Sequence, residues 1–233
     1  MSTQRTISSL NGDLSRRVVI DSNLHEWRAS PSGTVWRKRL HRVGAAESGQ
    51  VTSLVRYEPN ASFPAHDHPE GEEILVLEGT FSDEHGDWPA GSYLLNPEGF
   101  RHAPFSREGC LIFVKLRQYS GDGREHVALD TSAAQWSSKS DKGIATQALY
   151  ADDRFPDAMR LERWSPGSES GPRTWPGGVE ILVIEGRLAD ENGTYAAGTW
   201  LRLPDGASHR PRSPDGCLLY IKAGAVSSLH SAR

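Results

Sequence analysis

The sequence is poor in cysteine, with 2 in 233 residues, and Cys110 and Cys217 lie far apart. Two such thiols make neither a disulfide framework nor a cysteine-based zinc site. Each sits in a short apolar run, Gly-Cys-Leu-Ile-Phe and Gly-Cys-Leu-Leu-Tyr, so both are expected as buried free thiols. Long apolar runs are missing as well: nothing approaches the roughly 18 residues a membrane helix needs. The opening residues, MSTQRTISSLNGDLSRR, hold no apolar segment of the signal-peptide kind. No membrane partner and a cytoplasmic location are therefore expected. Neither sign of charge dominates, since 26 Lys+Arg against 30 Asp+Glu leave a net charge of −4. Without a basic stripe, nucleic acid is not an expected partner. Helical periodicity is also scarce, apart from a weak stretch around residues 23 to 27.

What the chain does have is turn formers. Its 23 Gly and 14 Pro make up about 16% of 233 residues, against roughly 12% in average usage. Frequent turns suit many short strands. Residues 51–57, 73–78, 92–95 and 110–116 are short, apolar or β-branched, and bounded by Gly, Pro, Asn and Asp. The runs ILVL and LIFV do not alternate, as in strands buried on both faces. Together these features predict an all-β sandwich or barrel.

A repeat sets the organisation. Glu-Glu-Ile-Leu-Val-Leu-Glu-Gly from Glu72 returns as Val-Glu-Ile-Leu-Val-Ile-Glu-Gly from Val179, a shift of 107 residues. The same shift carries Gly91 to Gly198, Pro97 to Pro204, His102 to His209, Cys110 to Cys217 and Lys115 to Lys222. Upstream the shift is 109, matching Asp21 to Asp130 and Trp27 to Trp136, as one loop-length difference would produce. The chain is read as two copies of one unit, 1–123 and 124–233, joined near Ser-Gly-Asp-Gly-Arg-Glu-His at Ser120 to His126.

The chemistry is concentrated in the first copy. His66 and His68, two apart on an extended chain, project to one face. Glu70, Glu72 and Glu73 follow closely, and His102 comes later in Pro-Glu-Gly-Phe-Arg-His. Three imidazoles with one carboxylate suit a single divalent ion such as Zn, Fe, Mn or Ni. The aromatics Phe63, Trp88, Tyr93, Phe100, Phe105 and Phe113 are expected mostly in the core, some lining an apolar mouth. Arg101 is either solvated or a lure for an anionic substrate. His25, His41, His85, His126 and His230 are expected at the surface.

These residues resemble the cupin family, whose motifs run G-x5-H-x-H-x3-E-x6-G and G-x5-P-x-G-x2-H-x3-N. Here the first motif is carried by Asn60, His66, His68, Glu72 and Gly79, and the second by Gly91, Pro97, Gly99, His102 and Ser106. Asn60 replaces a glycine and Ser106 an asparagine; asparagine tolerates the left-handed backbone. The stretch from Val51 to Leu116 is most similar to the ChrR-like cupins, which also resemble acetylacetone-cleaving dioxygenases.

The resemblance implies two tandem jelly-roll barrels, a bicupin, with one metal in the first, held by His66, His68, Glu72 and His102. Both motif spacings select Glu72. The internal repeat agrees: His66, His68 and Glu72 become Arg173, Trp175 and Val179, while Glu73 is kept as Glu180. Glu73 is therefore expected to have a structural or supporting role behind the ligands. The second copy is expected to have lost the metal and to serve in packing; a sharper alternative is an anion pocket formed by Arg173 and His209.

The resemblance further implies an Fe(II)-dependent dioxygenase acting on a small diketone-like or otherwise chelating substrate. The alternative is a non-catalytic, metal-binding sensory cupin. A sigma-factor partner is not expected, since no His/Cys cluster precedes Val51. A metal-dependent isomerase, with Glu70, Glu73 or His85 as base, is a third reading. Covering of open sheet edges suggests a homodimer.

Overall fold

The structure is a computed structural model that describes residues 9–138 and 143–230. The turn-rich composition becomes short strands: among the described residues there is no α-helix, only two single-turn 3-10 segments, Ser22–Leu24 and Val226–Ser228. The weak helical stretch is the first of these, capped by the Asp21 side chain accepting from the Asn23 N–H. Both cysteines are buried and free.

Two compact units divide the chain, and the division follows strand pairing rather than the repeat. The first unit holds the segment up to Asp13, Glu26–Ser132 and His230; the second holds Leu14–His25 and Ala133–Leu229. Compared with the repeat boundary at 123/124, residues 14–25 go to the second unit and residues 124–132 to the first. The cause is a reciprocal exchange. Val18–Asp21 pairs antiparallel with Thr199–Leu203, and Val127–Asp130 pairs antiparallel with Ser92–Asn96. Asp21 and Asp130, matched by the repeat, occupy the same ladder position, opposite Thr199 and Ser92.

In the first unit the main sheet runs in the order Ser9–Leu10, Val35–Val43, Gln50–Tyr57, Cys110–Leu116, Glu72–Asp83, Ser92–Asn96, Val127–Asp130. Antiparallel partners share a face, so the registers define continuous rows of side chains. One row is Val51, Leu116, Glu72 and Asn96; the next is Arg39, Ser53, Val114, Ile74 and Leu94. A third is Arg37, Val55, Ile112 and Val76. All three lie on the inner face, where Ile74, Val76, Leu94, Ile112 and Val114 form the core. The neighbouring row, Thr52, Lys115, Glu73 and Leu95, points to the other face.

The two motif departures have local structural answers. Asn60 adopts φ +63°, as its counterpart Gly167 adopts φ +77°. Ser106 Oγ donates to the Thr80 carbonyl at 2.6 Å, and Ser213 does the same to Arg187 at 2.7 Å.

Two sequence expectations need correction. His41 is not at the surface: it is buried, with Nδ1 3.2 Å from the Asn11 carbonyl, because the terminal strand Ser9–Leu10 covers its own strand. Of the six aromatics, only Tyr93 and Phe113 are fully buried; Phe63 and Trp88 pack at the core's edge.

Candidate metal centre

A separate two-stranded ladder carries the histidines. His66–His68 pairs with Phe100–His102, placing His66 opposite His102 and His68 opposite Phe100. Alternation then puts all three imidazoles on one face, and Asp67 and Arg101 on the other. One nitrogen from each of His66, His68 and His102 lies within 4.8 Å of the others. Asp67 and Arg101 form an exposed ion pair at 3.2 Å, so Arg101 is solvated and stands away from the imidazoles.

Glu72 approaches the same point from the barrel wall. Its Oε2 is 3.5 Å from His68 Nε2 and 3.4 Å from His102 Nε2. Asn96 Nδ2 donates to that carboxylate at 2.9 Å, across the ladder that pairs the two residues. Glu73 faces the other way: it accepts from the Tyr119 hydroxyl and lies opposite Lys115. Its counterpart Glu180 lies opposite Lys222 and accepts from Trp200 Nε1 at 3.0 Å. The placement of this glutamate on the face away from the histidines, opposite a lysine and bonded to an aromatic side chain, is repeated in both barrels.

Hydrogen bonding fixes which nitrogens are free. His66 Nδ1 is 2.9 Å from the Pro64 carbonyl, which can only accept, so the ring proton sits on Nδ1. His102 Nδ1 is 3.0 Å from Asp83 Oδ2, with the same result. In the neutral form each of these two rings then presents its Nε2 lone pair. His68 Nε2 is 2.9 Å from His102 Nε2, and the Glu72 carboxylate lies beside them. Converging lone pairs and a carboxylate form a donor set that fits a divalent cation.

Burial holds His68 below the usual imidazole range, keeping it neutral, against the pull of Glu72. For His102 burial acts in the same downward direction, but the bond to Asp83 and the charge of Glu72 outweigh it and raise the net value. Asp83 is depressed despite burial, because His102, the His85 N–H and Trp88 Nε1 all donate to it. Asp83, like Asn96 and Tyr57, is a residue that sequence reasoning missed. Its signal was available, since Asp83 recurs as Asp190 at the same shift that carries His102 to His209.

The site opens into a cavity of about 440 Å³. His66, His68 and Glu72 line one part of it; Tyr57, Val55, Ile112 and Val114 line the barrel interior. Burial, then the nearby Glu72 charge, pushes the Tyr57 phenol well above its ordinary range, so it stays protonated.

The second barrel carries other side chains at the corresponding positions. Trp175 replaces His68, and its ring centroid is 6.0 Å from that of His209. Arg173 faces His209 on the ladder, but both Glu162 oxygens accept from its Nη1, at 2.9 and 2.7 Å. The Arg173 guanidinium, which the alternative reading offered to an anion together with His209, is engaged by an internal carboxylate that it shares with Arg160. His209 Nδ1 meets Asp190 at 3.2 Å, so the Asp–His pair outlives the metal ligands.

The family model described as ChrR Cupin-like domain matches the chain twice, at residues 15–120 and 124–227. The chain belongs to the ChrR cupin-like family. Its two barrels have the cupin fold, and solved structures share it. A candidate dioxygenase from Nostoc punctiforme superposes with TM-score 0.74 at 17% identity, covering 95% of this chain and 86% of that one. The bacterial pirin YhhW from Escherichia coli, solved with nickel(II), gives 0.66 at 14% identity over 89% and 98%. A salicylate 1,2-dioxygenase from Pseudaminobacter salicylatoxidans gives 0.60 at 14%, over 76% and 71%. A sequence search of curated proteins found no match. Among the described residues no helix is long and apolar enough to cross a membrane.

Proposed function

We propose that this ChrR-like cupin is a metal-dependent oxygenase-type enzyme. One divalent ion is held in the first barrel by His66, His68, Glu72 and His102, with a small chelating substrate in the adjoining cavity. The observation that carries the reading is the donor set: Nε2 lone pairs of His66 and His102, each fixed by an acceptor on Nδ1, meet His68 beside a wide cavity. Four protein ligands close a tetrahedral structural zinc site, but on a five- or six-coordinate ion they leave a position open for a substrate, and the cavity lies beside them. A bound ion, when redox-active, supplies electrons for oxygen chemistry and polarises a chelating oxygen.

The protein's own residues set up the reaction. Asp83 holds the His102 tautomer, and Asn96 orients Glu72 by donating to it. The protonated Tyr57 offers a hydrogen bond within the cavity, and the walls of Val55, Ile112 and Val114 exclude water from an apolar substrate body.

The test has two stages: elemental analysis of protein purified without added metal, then anaerobic iron loading and oxygen uptake with β-diketones and other chelating carbonyl compounds. Substrate-dependent uptake with iron and none with zinc supports the proposal. An iron-loaded sample inert to the whole panel overturns it in favour of a sensory cupin that binds metal without turnover. The homodimer and the cytoplasmic location belong to the same reading, and are checked by light scattering and cell fractionation.

A further inference from the structure

The strand Val35–Val43 places two arginines, Arg37 and Arg39, on the inner face of the first barrel, opposite Val55 and Ser53. Both line the cavity that also reaches His66, His68 and Glu72. Their side chains are only 20% and 19% exposed. One carboxylate serves the two of them: Glu47 bonds Arg37 Nη1 and lies 2.9 Å from Arg39 Nη2, with its own side chain half exposed. Two partly buried cations facing one more exposed anion leave a positive charge uncompensated at the cavity wall. Burial, and then the charge of Arg37, lower the pKa of Arg39 overall, although Glu47 acts against them.

A second observation points the same way. Ser53 lies directly across the ladder from Arg39, lines the cavity and is 2% exposed, and its Oγ has no hydrogen-bond partner. A buried hydroxyl without a partner is costly, and it is a ready contact for a ligand oxygen.

The second barrel supplies an internal comparison. At the ladder positions of Arg37, Val55, Arg39 and Ser53 stand Thr146, Glu162, Ala148 and Arg160. There two arginines also share one carboxylate, Glu162 accepting from Arg160 Nε at 2.8 Å and from Arg173, but that carboxylate is buried and belongs to the wall itself. In the first barrel the wall supplies cations and a hydroxyl but no inward carboxylate of its own at these positions.

We propose that Arg37, Arg39 and Ser53 form the recognition site for the carboxylate of a small organic acid, whose other end reaches the metal ligands. The inference rests on the cavity being the substrate site. Ser53 and Glu72 are two strands apart, about 10 Å at a strand spacing of about 4.8 Å. The bound molecule is thus an acid with an apolar middle, lying along Val55, Ile112 and Val114, rather than a small inorganic ion. Glu47 holds the place of the ligand's carboxylate until it is displaced.

The test is calorimetric binding of hexanoate and benzoate to the full chain, with hexanamide and benzamide as uncharged analogues and metal content measured in parallel. The expected result is at least a tenfold preference for acid over amide. Arg37→Gln and Arg39→Gln each cut that preference about tenfold with metal content unchanged, Ser53→Ala cuts it less, and Glu47→Gln tightens acid binding several-fold. Equal affinity for acid and amide, or a preference that survives both arginine variants, overturns the proposal. His102→Ala separates the two readings. If it loses metal and keeps the preference, the carboxylate site stands on its own; if it loses the preference together with the metal, the carboxylate is bound by the ion and the arginine assignment falls. A protein that holds no metal at all, yet shows the arginine-dependent preference, refutes the metal reading alone.

Discussion

Nδ1 of His102 stands 3.0 Å from Oδ2 of Asp83, and this one contact decides which way the imidazole presents its lone pair. The carboxylate also accepts from Trp88 Nε1 and the His85 N–H, so its orientation is fixed before any ion arrives. Replacing Asp83 with Asn lets the ring carry its proton on either nitrogen. Metal affinity is expected to fall about 10–100-fold, measured by competition with a chromophoric chelator. Unchanged affinity would show that the ladder alone orients His102.

Glu72 and Glu73 are adjacent in sequence and face opposite sides of the sheet. Glu72→Gln is expected to lose most of the bound metal while keeping the fold. Glu73→Gln is expected to keep the metal and to lose about 1–3 kcal/mol of stability, because the buried Tyr119 hydroxyl loses a charged acceptor. Elemental analysis and urea denaturation of the two variants separate these outcomes; a reversed pattern would reassign the ligand.

In the second barrel Glu162 stands between Arg160 and Arg173. Burial pushes its carboxyl up, but the two guanidiniums win and hold it below the usual range. Glu162→Ala strands two cations inside the barrel and is expected to cost about 3–5 kcal/mol. Urea denaturation reads the cost, and metal content of the folded variant is expected to match the wild type.

Asp190 gives a pH dependence with a definite sign. Burial opposes its ionisation, but bonds from Arg17, Tyr195, the Asn192 N–H and His209 bring its pKa down to about 2, from an ordinary 3.8. A depressed folded pKa means stability that is complete above about pH 4 and is lost as pH falls towards about 2. The size is about 2 kcal/mol. Asp190→Asn is expected to remove that contribution and to flatten the acid limb of a melting-temperature curve between about pH 4 and 2. An acid limb identical to the wild type would place the titrating group elsewhere.

Much of this was legible from residues alone. His66, His68 and His102 were visible because a two-residue period and a fixed motif spacing both act locally, and the ladder then aligned them as the spacing implied. The repeat predicted the twin Cys110 and Cys217 and their burial. Arg37 and Arg39 were not singled out, because the run Val-Trp-Arg-Lys-Arg-Leu reads as a solvated charged strand until its partners are known. Only the register against Ser53 and Val55 shows which of the charges turn inward; Lys38, between them, instead lies 4.7 Å from the Trp27 ring centroid. The engagement of Arg173 was hidden for a related reason: its partner Glu162 lies eleven residues upstream on another strand. His41 was misjudged because nothing local reveals that the chain's first strand will cover it.

The exchange of Val18–Asp21 for Val127–Asp130 makes the duplicated halves inseparable as pieces of protein. A fragment cut at the end of the first repeat would carry one strand with no ladder to join and leave Ser92–Asn96 with an unpaired edge. The second repeat therefore contributes to the first unit: its strand Val127–Asp130 pairs with Ser92–Asn96, the strand that carries Asn96 beside Glu72. A cut that respects the ladders must follow the strand pairing and not the repeat.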